Sequence, residues 1–329
     1  MARNTNKPPL GSQNRSACYT AFNATGCKWH DSNAFFPMEN PLKSSRSEFP
    51  SINGLRYHVR IWGEPNHPKL FLLHGWMDVA ASFQFLVDAL EQDWCAIAPD
   101  WRGFGLSEWN NQPYYFPDYF ADLDRLLDHY QAGGPVNLVG HSMGGNVAGL
   151  YAGIRPLRVA KLALLEGFGL KPTEPGHAPT RFAKWLDQLK EPPSFKTYRN
   201  VEEFAQRLQR NNSRLSVERA LHIAQHSCKE TAPGKVELLS DPVHKLTNPV
   251  LYRLDEAKAC WNQVTASSLW ITGADSEFMR AQVASPEDYA SRKACFKQLR
   301  EAVIQDCGHM MHHDQPQVLA ALLETFFAT

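Results

Sequence analysis

No stretch of the 329-residue chain approaches the roughly 18 consecutive apolar residues that a membrane-spanning helix needs. Excess charge of either sign is also missing. Lys and Arg number 34, Asp and Glu 34, so the formal net charge is zero, with a sequence pI of about 7.2. Such a chain offers no electrostatic footprint for nucleic acid or an anionic membrane, and neither is expected as a partner. The N-terminus lacks a charged-then-apolar leader with a small-residue cleavage site. Seven cysteines, from Cys18 to Cys307, are odd in number and contain no C-x-x-C spacing, which argues against a disulfide framework and a cysteine-based zinc site. No internal repeat is visible. These absences leave a soluble cytoplasmic protein as the expectation, and 43% hydrophobic residues suffice for a sizeable core.

Residues 1–45 are rich in Asn, Ser, Thr and Pro without sustained periodicity. They are expected to form a mobile extension, with Met38 a natural alternative start near its end. From Leu55 the pattern changes. Leu55, Tyr57, Val59 and Ile61 alternate with Arg56, His58, Arg60 and Trp62, as in a half-buried strand. Continuous apolar runs follow at 70–73, 95–98, 136–139, 162–165 and 268–271, with a shorter one at 302–304. Helical patterns at 82–91, 117–130, 144–154, 287–300 and 315–327 separate most of them. Alternating strands and helices imply an α/β fold, a mostly parallel twisted sheet covered on both faces, with its site at the carboxyl ends of the strands. Residues 168–259 break the alternation. Their helical stretches (180–190, 201–211, 214–228) predict a lid inserted into a core formed by 46–167 and 260–329.

The apolar run Val136–Val139 leads into Gly140-His141-Ser142-Met143-Gly144-Gly145. A strand, then Gly-x-Ser-x-Gly, then a helix former is the sequence form of a nucleophile elbow. Its glycines remove the Cβ atoms that would collide with a serine held in a strained turn. A serine hydroxyl needs a base, and the base needs an orienting acid. Asp306-Cys307-Gly308-His309 follows the last strand and makes His309 the base. His312 and His313 are expected at the surface or in support of the site. The spacing His309-x-x-His312-His313 has no acidic or cysteine partner beside it, so no metal is expected.

Two residues compete for the acid. On such sheets a carboxylate usually stands three residues after the glycine ending the next-to-last strand; here that residue is Ser276, and Asp275 comes one place early. A one-residue shift on an extended segment turns a side chain the other way. The rival, Glu166, ends the strand after the elbow and is favoured on that geometry. The oxyanion hole is expected from the backbone amides of Met143, at the helix start, and Trp76, in His74-Gly75-Trp76-Met77-Asp78. In Asp100-Trp101-Arg102-Gly103-Phe104-Gly105-Leu106-Ser107, Asp100 and Arg102 are expected to order the loops. Phe182, Trp185, Phe195, Tyr198 and Phe204 line an acyl pocket or form the lid's own core.

Together, His74-Gly75-Trp76, the Asp100–Ser107 turn, the Gly140–Gly145 elbow and Gly308-His309 resemble the α/β-hydrolase superfamily from about residue 50 onward. Within it, Gly140–Gly149 followed by Leu164-Leu165-Glu166 resembles the serine hydrolase-like proteins, a group of presumed carboxylesterases. The place of Glu166 is also similar to that of the acid in some haloalkane dehalogenases. Those enzymes and the epoxide hydrolases need a carboxylate nucleophile where this chain has Ser142, so dehalogenation is not expected. The resemblance implies the α/β-hydrolase fold and a serine hydrolase cleaving small-molecule esters without a metal or organic cofactor. A C–C bond hydrolase or lactonase would use the same residues. A binding protein that kept the fold and lost turnover is the reading of a different class.

Overall fold

The computed structural model describes residues 42–110 and 112–328. Most of the extension expected over residues 1–45, Met38 included, lies outside the described residues. Eight strands form the main sheet: β1 (Ser45–Glu48), β2 (Val59–Trp62), β3 (Lys69–Leu73), β4 (Cys95–Pro99), β5 (Val136–His141), β6 (Val159–Leu165), β7 (Ser267–Gly273) and β8 (Leu299–Ile304). Their spatial order is β1-β2-β4-β3-β5-β6-β7-β8. Strands β3 to β8 run parallel, whereas β2 pairs antiparallel with both β1 and β4.

Alternation along the central strands separates two cores, because successive side chains leave a strand on opposite faces. Phe71, Leu73, Ile97, Leu138, Leu162, Leu164 and Trp270 pack on one face. Helix α2 (Phe116–Tyr130) covers them with Tyr119, Leu123, Leu126 and Leu127. Leu70, Leu72, Ala96, Ala98, Val139, Ala163, Leu165 and Ile271 pack on the other. They lie under α1 (Gln84–Ala89) and the C-terminal helix Pro316–Ala328, which contributes Leu319, Ala320, Leu323 and Phe326. With both faces covered, central strands read as unbroken apolar runs.

Helix α3 (Met143–Ile154) starts at the elbow and has ten of its twelve residues buried, so it shows no polar face. Its glycines serve close approach. A Cβ on Gly144 would stand 2.2 Å from the Leu73 carbonyl oxygen, and one on Gly153 would stand 1.9 Å from that of Cys260. Both obstacles are backbone and cannot swing away. Gly144→Ala is therefore expected to cost about 3 kcal/mol, read as a lowered urea midpoint.

The strand expected from Leu55 is interrupted. Leu55–Arg56 pairs with Ser51–Ile52 in a small hairpin, and β2 begins at Val59. His58 and Trp62, placed on the polar side by alternation, are buried at 2% and 1% exposure. His58 is enclosed by Ser47 of β1 and by Asp100, so this face is covered too. The helix expected over 287–300 ends at Lys293, and its last residues, from Leu299, already belong to β8.

Between β6 and β7 lie α4 (Ala178–Lys190), α5 (Val201–Asn211), α6 (Val217–Ser227) and a hairpin of Cys228–Ala232 with Lys235–Leu238. Tyr198, Phe204, Leu215, Ile223 and Val236 form a third cluster there, together with Phe85 of α1. Helix α7 (Leu254–Trp261) follows and buries Leu254, Ala257 and Trp261 in the main core against α3. No described helix is long and apolar enough to cross a membrane.

Candidate active site

The carboxyl ends of the parallel strands deliver the site. Ser142 follows β5 directly and holds φ 51° and ψ −112°, a conformation L-residues rarely adopt. The glycines make that turn possible: a Cβ on Gly140 would meet the Gly144 carbonyl oxygen at 2.4 Å. The Ser142 amide donates to the Leu165 carbonyl (2.8 Å), tying the elbow to β6. Ser142 is largely buried, at 8% exposure, and its hydroxyl has no hydrogen-bond partner among the described residues.

Glu166 directly follows β6 with φ 51° and is fully buried. The following Gly167 lets it approach: a Cβ there would stand 2.5 Å from the Gly145 Cα. Three donors converge on the Glu166 carboxylate. His309 Nδ1 lies 2.6 Å from Oε2, the Ser276 hydroxyl donates to the same oxygen at 2.6 Å, and the Gly273 amide donates to Oε1 at 2.9 Å. Bonds this short are of the charge-assisted kind. Asp275 stands elsewhere. Its carboxylate pairs with Arg214 of the inserted segment at 2.6 Å, and both side chains are exposed. The structure thus brings Glu166, not Asp275, to His309. Ser276 occupies the position where a carboxylate is usual and gives Glu166 a hydrogen bond instead.

The His309 ring packs on Phe278, with ring centroids 4.1 Å apart, while its carbonyl oxygen accepts from His141 Nε2 at 2.9 Å. His141, the variable residue of the elbow, was missed as a positioning group because nothing local signals so distant a contact. His312 and His313 are not at the surface. Both are buried, at 0% and 3% exposure, on the short helix Met311–Asp314 behind His309. Burial holds the His141 and His313 imidazoles well below the usual histidine range, hence neutral.

The Met143 amide opens α3 and has no carbonyl within the helix to bond. The Trp76 amide donates to no acceptor among the described residues. Gly75 separates it from His74, and a Cβ on Gly75 would lie 3.2 Å from the Ser142 Cβ, which places this loop beside Ser142. Trp76 and Met143 both line a cavity of about 150 Å³. Tyr114, Tyr119 and His244 also line it, and Trp185 reaches it from α4 with a buried, unpartnered indole N–H. Of the inserted aromatics, Tyr198 and Phe204 belong to that segment's core, and Phe182 is half exposed. His244 is stacked between Phe104 and Tyr114, and burial pushes its imidazole down to about 3. No Asp, Glu, Lys or Arg is among the described lining residues.

The turn after β4 is fixed by its two charged residues. Asp100 accepts from the Ala80 amide (2.6 Å) and the Leu106 amide (2.9 Å), with His58 Nδ1 2.7 Å away. Arg102 grips buried Asp122 through two nitrogens, at 2.5 and 2.6 Å. Both side chains bind neighbouring loops and helices, and neither contacts Ser142 or His309.

A family model described as alpha/beta hydrolase fold matches residues 68–316. A serine hydrolase-like protein of Danio rerio is 29% identical over 279 residues, 81% of this chain and 83% of that one. Serine hydrolase-like protein 2 of Homo sapiens is 26% identical over 281 residues, 82% and 89% of the two chains. The thioesterase domain from the curacin biosynthetic pathway shares the fold, with a TM-score of 0.76 at 24% identity, covering 86% of this chain and 99% of its own. Elbow, sheet order and family match agree, and the chain belongs to the alpha/beta hydrolase family.

Proposed function

We propose that the protein is a serine hydrolase of carboxylic esters with small, uncharged acyl groups. The observation that carries this reading is the buried Glu166–His309 hydrogen bond beside a strained serine at the elbow. His309 Nε2 takes the Ser142 proton as Oγ attacks the ester carbonyl, and then returns it to the leaving alcohol. Water repeats the cycle on the acyl-enzyme. Glu166 keeps the proton on His309 Nδ1 and stabilises the imidazolium that forms. The Met143 and Trp76 amides receive the oxyanion, fixed in place before the charge develops. The Ser142–His309 hydrogen bond forms as substrate enters, since such bonds are often long in empty sites.

The inserted segment acts as the lid in this reading, supported by its supply of Trp185, Val243 and His244 to the cavity wall. The cavity limits the acyl group. A cavity of about 150 Å³ holds a single ring such as benzene. A p-nitrophenyl series from acetate to laurate is expected to peak at short or ring-sized acyl groups, and kcat/KM for laurate is expected at least tenfold below the optimum. A peak at laurate contradicts the pocket assignment. Silence of wild-type protein across the series contradicts simple ester hydrolysis and directs attention to lactones, β-diketones or ligand binding.

A further inference from the structure

Behind His309 lies a polar cluster that the ester chemistry does not use. Asp78 follows the Trp76 loop, His141 sits in the elbow, and His312 stands on the short helix after His309. Each offers a ligand atom, all within 4.8 Å of one another, and all three residues are buried. The acidic partner that sequence spacing did not show beside His312 arrives here from a distant loop.

We propose that Asp78, His141 and His312 form a binding site for a divalent transition-metal ion of the zinc type. His141 is set as metal-bound histidines are: one ring nitrogen donates to a backbone carbonyl and the other is left for the ion. Its Nε2–H donates to the His309 carbonyl, so Nδ1 carries a lone pair, and that atom is buried without a partner. Asp78 is braced as a ligating carboxylate, accepting from the Val79 amide (2.9 Å) and the Ser82 hydroxyl (2.8 Å). No described Lys or Arg pairs with this buried carboxylate. His312 Nε2 stands 3.4 Å from Asp78 Oδ2, and His312 Nδ1 has no partner either. That separation is long for a charge-assisted hydrogen bond, yet it matches the ligand–ligand edge of a zinc tetrahedron, about 3.3 Å for bonds of 2.0–2.1 Å. Three protein ligands leave a fourth position, which zinc fills with water.

An ion here also pulls on His141, and through it on the backbone of His309. This coupling rests on the hydrolase reading, whereas the binding site does not.

The test is equilibrium dialysis of the full chain against zinc chloride, followed by metal analysis, on wild-type protein and on Asp78→Asn and His312→Asn checked for folding by circular dichroism. The expected result is about one zinc per wild-type chain and at least a tenfold weaker affinity in each variant. No bound zinc in wild type, or full retention in both folded variants, overturns the site. Should the variants not fold, cobalt on the wild-type protein decides: intense visible bands of a four-coordinate ion support the site, and a pale six-coordinate spectrum overturns it. Zinc bound without any slowing of wild-type ester hydrolysis overturns the coupling to His309.

Discussion

Ser142→Ala is expected to lower turnover of a short-acyl ester by roughly 10⁵–10⁶-fold, the scale seen when the nucleophile of a catalytic triad is deleted. The substitution removes only the hydroxyl. Alanine keeps the Cβ, so the φ of 51° is no more strained than before, and the amide bond to Leu165 remains. The melting temperature is therefore expected to stay within a degree or two of wild type. A large loss in kcat at unchanged stability then isolates the chemistry. Residual hydrolysis above the uncatalysed rate is still expected, because the Met143 and Trp76 amides and the cavity remain. Retention of most activity would locate the reaction elsewhere.

Glu166→Gln is expected to cost about three to four orders of magnitude in kcat, as when an orienting carboxylate is made neutral. Glu166 is an acceptor for three donors at once. Glutamine turns one oxygen into a donor, so at least one of the three loses its partner. If that is His309 Nδ1, the imidazole adopts the tautomer with its proton on Nε2 and no longer accepts from Ser142. Asp275→Asn is expected to cost less than tenfold, since Asp275 is exposed and paired with Arg214, and pairs of that kind contribute little. Steady-state kinetics on the two variants decide between the carboxylates. A greater loss in Asp275→Asn contradicts the assignment.

Much of this site was legible because its chemistry is written in short local patterns. The Gly140–Gly145 elbow needs glycine wherever backbone crosses backbone within 3 Å, and Gly308-His309 follows the last strand as a loop must. The one-residue offset of Asp275 also carried its meaning: the side chain turns out to Arg214 while Ser276 turns in to Glu166. What stayed hidden depends on long-range contact. Between the surface and support of the site, His312 and His313 could not be placed from sequence, since local pattern says nothing of Asp78 or of Phe83 and Phe85, which pack against them. The burial of His58 and Trp62 escaped alternation because groups distant in sequence cover that face: Asp100 at the His58 ring and Gln84 of α1 at the Trp62 indole. The last turn expected of the helix over 287–300 failed for a related reason: Leu299 and Arg300 lie beside Ser268 and Leu269 of β7, and ladder pairing overrides helix propensity.

The measurement that tests the central claim most directly is covalent labelling with a fluorophosphonate, followed by mass mapping of the peptides. The account predicts one adduct per chain, on the peptide carrying Ser142, with labelling strongly slowed in Glu166→Gln, where His309 no longer activates the hydroxyl. An adduct on any other serine, or none on folded wild-type protein, would contradict it.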